Sequence, residues 1–189
     1  MGFLDALLGR SKQAKPDLDA LFALPSAAVT LQASASFTPT GRGSVCFRAV
    51  EGRAFDEVEQ EVRDLLNAGD GPEVRLSNDE YGYTWLQTER TPDQLPDLVT
   101  DLHAVNATLE QNGFGPSLLC SLASFTDDRE RRLALVYLYK RGTFYPFAPL
   151  SGEKRDSPLE LQIRGLISGD LPVEEDLGRW FPVWGAPGL

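Results

Sequence analysis

Leu118-Leu119-Cys120-Ser121-Leu122-Ala123-Ser124-Phe125 and Leu133-Ala134-Leu135-Val136-Tyr137-Leu138-Tyr139, joined through Asp127-Asp128-Arg129-Glu130, decide the fold. Two apolar runs with so short a polar link read as an antiparallel hairpin, with strands over 116–125 and 132–140. Upstream, Thr91-Pro92-Asp93 opens a long helix whose stripe is Leu95, Leu98, Val99, Leu102, Val105 and Leu109, ended by Gly113 or Gly115. Before it, residues 73–77 and 81–88 read as two strands, the second carrying Tyr81, Tyr83 and Trp85 at period two, so that large rings line one face. Phe55, Val58, Val62, Leu65 and Leu66 mark the inner face of another helix.

Further toward the N-terminus, residues 28–38 and 44–50 are expected as strands, parted by the turn-rich Thr38-Pro39-Thr40-Gly41-Arg42-Gly43. Asp17 to Leu24 reads as a short helix capped by Asp17 and ended by Pro25. Downstream of the hairpin, Arg141 to Pro149 is aromatic and proline-broken, and a last helix is expected over 157–168 with Leu159, Ile163, Leu166 and Ile167 inward. The element order predicts an α+β fold: an antiparallel sheet of five or six strands with helices packed on it. Residues 1–15 form a short amphipathic segment with a basic linker, and 16–189 a single α+β domain with an aromatic C-terminal tail.

With 189 residues the chain is long enough to bury a core without disulfides or metal. Its two cysteines, Cys46 and Cys120, lie in apolar runs and read as buried thiols of a protein in a reducing cytoplasm. A net charge of −10 argues against nucleic acid as a partner, because phosphate neutralisation needs a basic face. No apolar stretch is expected to reach the length of a membrane span, so any membrane contact is peripheral. In the first segment Phe3, Leu4, Leu7 and Leu8 fall at helical spacing and precede Arg10, Lys12 and Lys15. Burying the four side chains is worth about 6–12 kcal/mol, and ordering eight residues costs on the order of 8–16 kcal/mol. Three cations near anionic headgroups, at about 1 kcal/mol each, make weak reversible docking feasible.

Catalytic chemistry finds little foothold. His103, the one histidine, has Asn106 and Ala107 at its helical neighbours and no nucleophile within a turn. Glu57 and Glu61 read as a solvated acidic face, with Asp127 and Asp128 as a second acidic spot. Lys140-Arg141-Gly142-Thr143 lacks the spacing of a phosphate loop; if used, Lys140 and Arg141, with Arg155, would receive an acidic peptide or headgroup. Trp180, Phe181 and Trp184 stand among prolines and glycines that forbid helix, so their rings must pack on the domain or on a partner. The candidate interaction surface is therefore Phe3, Leu4, Leu7, Leu8, Lys140, Arg141, Trp180, Phe181 and Trp184. No catalytic, cofactor or metal residue is proposed.

Several longer segments carry a likeness. Met1 to Arg10, Pro16 to Pro25, Gly43 to Arg48, Tyr81-Gly82-Tyr83-Thr84-Trp85, Thr100 to Asn106, Leu135 to Phe147 and Leu177 to Gly185 together resemble the actinobacterial PspA-associated family PspAB. That resemblance implies a non-catalytic accessory protein of the PspA membrane-stress, or phage-shock, response. It would bind a protein partner, PspA or a relative, at the inner face of the membrane. The element order is also similar to secretion-chaperone or YbjN-like domains, which implies a peptide binder, dimeric in solution, with a groove lined by Tyr81, Tyr83 and Trp85. A carboxylate- or magnesium-dependent hydrolase is the third reading.

Overall fold

The structure, a computed structural model, describes residues 15–48, 52–66 and 74–189. Its elements are α1 (Leu24–Ala35), β1 (Thr38–Arg48), α2 (Arg53–Leu66), β2 (Arg75–Asn78), β3 (Tyr83–Glu89) and α3 (Leu95–Leu109). There follow β4 (Leu118–Thr126), β5 (Arg132–Leu138), β6 (Thr143–Phe147), β7 (Pro149–Leu150), β8 (Lys154–Arg155) and α4 (Ser157–Ile167). Six strands make one antiparallel sheet in the order β2-β3-β1-β4-β5-β6, and β7 with β8 forms a small hairpin. The four helices pack against the large sheet, so the expected fold class holds. The Phe3–Leu8 segment lies outside the described residues.

The hairpin forms as expected. Asp127 closes it by accepting the Arg129 and Arg131 amides at 3.1 and 2.8 Å and the Arg131 guanidinium at 2.8 Å. Helix α3 buries all six residues of its expected stripe, and its extension unwinds at Gly113, whose φ of +85° suits glycine.

Four local expectations are corrected. Residues 28–35 are helical, not extended, because Pro25 stands in the first turn of α1 and opens it; a 3-10 turn (Leu18–Ala23) precedes it. Asp17 makes no side-chain cap; its amide donates to the Tyr137 hydroxyl at 3.2 Å. Residues 38–43 belong to β1 and are not a free turn. There the register against β4 shifts between Pro39 and Gly43, and pairing with β3 begins only at Arg42, so Pro39 loses no hydrogen bond to that neighbour. Gly41 makes the shift possible: its φ is +82°, and a Cβ there would stand 2.1 Å from the Arg90 carbonyl oxygen. Finally, the proline-broken 143–147 is a strand, with Pro146 tolerated because β6 lies at the end of the sheet.

The membrane expectation also changes in one respect. Residues 18–35 run as 18 helical residues of mean hydropathy 1.2, long and apolar enough to cross a bilayer. Leu21, Leu24, Ala27, Ala28 and Leu31 are buried in the core while Phe22 and Val29 are exposed, so the stretch packs one face on the domain.

Strand periodicity assigns the two faces. Val45 and Phe47 of β1 join Leu133, Leu135 and Tyr137 of β5 in the core beneath the helices. Cys46, Cys120, Leu122, Ala134, Val136 and Leu138 point the other way and join a second apolar cluster. Burial of both faces explains why β4 and β5 read as unbroken apolar runs instead of alternating ones.

Candidate functional site

The second face of the sheet is where side chains converge. Cross-strand register places Trp85 of β3 opposite Cys46 of β1, Cys46 opposite Cys120 of β4, and Cys120 opposite Leu138 of β5. These four make a row across the sheet.

The C-terminal tail straps over this face. It leaves the edge of β6, where the Phe144 amide donates to the Pro172 carbonyl at 2.8 Å and the Glu174 amide to the Phe144 carbonyl at 2.7 Å. Trp180, Val183 and Ala186 are then buried against the sheet. Trp180 stacks on Tyr145 with ring centroids 5.9 Å apart, and its Nε1 donates to the Glu174 carbonyl at 3.0 Å. The Tyr145 hydroxyl donates to the Phe181 carbonyl at 2.7 Å, and Trp184 meets Phe147 edge-on at 4.9 Å. Arg132 donates to the Leu189 carbonyl at 3.3 Å, fixing the far end.

Glu174 anchors the near end. Its buried carboxylate accepts from the Arg141 guanidinium, from the Thr143 hydroxyl at 2.9 Å and from the Asp176 amide at 3.1 Å, with Arg179 at 3.5 Å. Burial alone would raise its pKa; the hydrogen bonds from Arg141, the Asp176 amide and Thr143 outweigh that and hold the carboxyl below its ordinary value.

Between the strap and the turn leading into β3, a groove of about 770 Å³ stays open. Cys46, Cys120, Leu138 and Trp85 line it from the sheet, Tyr81 from the β2–β3 turn, Tyr83 from the start of β3, and Phe181, Val183 and Trp184 from the strap. One carboxylate sets the turn. Asp79 Oδ1 accepts the Tyr81 and Tyr83 amides, each at 2.9 Å, and Oδ2 accepts Trp85 Nε1 at 2.9 Å. Four cations, Arg48, Lys140, Arg141 and Arg179, complete the lining, with Asp79 as its one acid among the described residues. In a chain of net charge −10 this is a local inversion of sign. Cys46 and Cys120 are free, and the hydrogen bond with Cys120, then burial, push the Cys46 thiol pKa up, so it stays protonated.

The candidate residues fare differently. Lys140, Arg141, Phe181 and Trp184 come together in the groove, whereas Trp180 of the strap is buried against the sheet. Arg155 does not face a ligand: it pairs with Glu160 at 2.9 Å and donates to the Trp180 carbonyl. His103 lies elsewhere, 3.2 Å from Asp19 and tilted against the Phe22 ring at 4.7 Å. Glu61 accepts from Asn112 at 3.3 Å and Asp127 closes its hairpin, so these two acids serve different elements. Among the described residues no three His, Cys, Asp or Glu side chains converge as metal ligands.

Arg48, Arg179 and Asp79 were not singled out from the sequence, and the two cysteines were read as buried thiols without their pairing. Cys46 and Cys120 meet only because β1 pairs with β4 across more than seventy residues, which local periodicity does not reveal. The period-two rings of Tyr81, Tyr83 and Trp85 were the available signal for this face.

The molecule is thus an α+β protein with helices on one face of its sheet and an aromatic, cation-rimmed groove on the other. It belongs to the PspAB family, PspA associated protein B, whose family model matches residues 1–188. No curated protein and no solved structure matches the chain, and the likeness to YbjN or secretion chaperones gains no support.

Proposed function

We propose that this chain is a non-catalytic accessory protein of the PspA membrane-stress response, working at the cytoplasmic face of the membrane and gripping a protein partner in the strapped groove. The family name supplies the association with PspA. The groove is the observation that carries the rest. Its walls are aromatic, its acid Asp79 is committed to three hydrogen bonds, and its Cys46 thiol is held protonated. Such a lining suits recognition of apolar side chains better than proton transfer or nucleophilic attack.

A peptide-binding reading unconnected with PspA is favoured by one specific feature, the presence of Tyr81, Tyr83 and Trp85 on the groove wall. One experiment separates the two. Tyr83 and Phe181 are 38% and 59% exposed, so Tyr83→Ala with Phe181→Ala leaves the core intact. Affinity purification from membrane-stressed cells should recover a PspA-type protein with the native chain and lose it with the double variant. Recovery that ignores the two substitutions removes the groove from the account; no PspA-type protein in either sample removes the association.

A further inference from the structure

We infer that the groove is built for an acidic segment of a protein partner, one that sets a bulky apolar side chain between Tyr83 and Phe181 and places carboxylates against Arg48 and Lys140. The inference rests on the groove reading above and adds the chemistry of the occupant.

Arg141 and Arg179 are held by Glu174, with Asp176 also 3.4 Å from Arg179. Asp79 is used up in shaping the β2–β3 turn. The side chains of Arg48 and Lys140 are left, both exposed and in no ion pair or hydrogen bond among the described residues, although Lys140 also lines a smaller cavity with Glu110. Arg48 stands opposite Tyr83 in the β1–β3 register, and Lys140 follows β5 two residues past Leu138. The two unspent cations therefore flank the apolar floor. Burying apolar area supplies the anchor, and the cations choose among anchors by the sign of their neighbours. A basic or neutral segment meets repulsion or nothing.

The location agrees with the rest of the surface. Beyond Tyr81 and Trp184, a smaller cavity of about 450 Å³ is lined by Asp79, Glu80 and Glu153 against one cation among the described residues, Arg132. The environment thus changes sign past the two rings, and an acidic segment is directed toward Arg48 and Lys140.

The test uses the full chain, the partner recovered by affinity purification, and labelled twelve-residue peptides carrying one leucine–phenylalanine pair flanked by glutamates or by lysines. Arg48→Glu with Lys140→Glu is the charge variant, and Tyr83→Ala with Phe181→Ala is the wall variant; circular dichroism confirms that both fold. The inference expects the glutamate peptide to bind and the lysine peptide to fail. It expects the charge variant to weaken partner and glutamate peptide by about tenfold or more, less so when salt rises from about 0.05 to 0.5 M. If the wall variant loses the partner while the charge variant keeps it, the groove stands and the acidic occupant is overturned. If neither variant moves binding, both readings fall. Phosphatidylglycerol vesicles complete the set: vesicles captured through Arg48 and Lys140, with no glutamate peptide bound, overturn the inference in favour of a lipid surface.

Discussion

Replacing Glu174 by glutamine isolates the contact on which the groove's shape depends. The side chain keeps its size and an acceptor oxygen but loses the charge that holds Arg141 and Arg179. Removing one partner of a fully buried ion pair costs about 3–5 kcal/mol, chiefly through the charge left behind. Here Glu174 is buried but the Arg141 side chain is 33% exposed, so water rescues part of the guanidinium. We expect a loss of about 2–3 kcal/mol at neutral pH, seen as a melting temperature lowered by about 5–10 °C. The pH dependence has a definite sign. Because the folded Glu174 pKa lies below its ordinary value of 4.5, its contribution is complete above that value and is lost as pH falls through the folded one. The gap between native chain and variant should therefore close on acidification. Urea titrations of both proteins at neutral pH and at about pH 3 measure it. A variant within about 0.5 kcal/mol of native at neutral pH, or a gap that persists in acid, refutes the assignment of Glu174 as the clamp.

Other consequences follow from single residues. Burial pushes the Tyr137 hydroxyl up to about 12, so the unfolded chain releases that proton first and stability should fall as pH rises from about 10 to 12; denaturation monitored across that window checks it, and Tyr137→Phe should flatten the slope. Cys46 and Cys120 should react slowly with a thiol reagent near pH 8 in the native chain and fully once unfolded, with Glu174→Gln accelerating the reaction by loosening the strap. Full-length protein should float weakly with anionic liposomes and a chain lacking residues 1–15 should not; equal flotation of both would discard the amphipathic segment as a membrane contact.

What was legible in the sequence was local. The α3 stripe and the β4–β5 hairpin depend on spacing within one element or across one short link, and both came out as read. Errors arose where one residue type serves two ends. Pro25 stops a helix or starts one, and only the packing of Leu24, Ala27, Ala28 and Leu31 decides between them. Gly41 and Pro39 spell a turn, yet in β1 they build a bulge because β3 does not reach that far. The tail's aromatic residues demanded cover, and the sequence named them. Which ring is buried against the sheet and which stays on the groove wall is set by Tyr145, Phe147 and Glu174, contacts from other parts of the chain. Arg48 and Lys140 gain meaning only once Glu174 is matched to Arg141 and Arg179, and Asp79 to the β2–β3 turn.

The central claim is that a PspA-type protein is held in the strapped groove. Amide hydrogen exchange of the chain alone and in complex with that protein tests it most directly. The account predicts new protection confined to residues 46–48, 79–85, 119–120, 138–141 and 179–184, the segments that line the groove. Protection on α1 and α4 instead, with those groove segments unchanged, would contradict it.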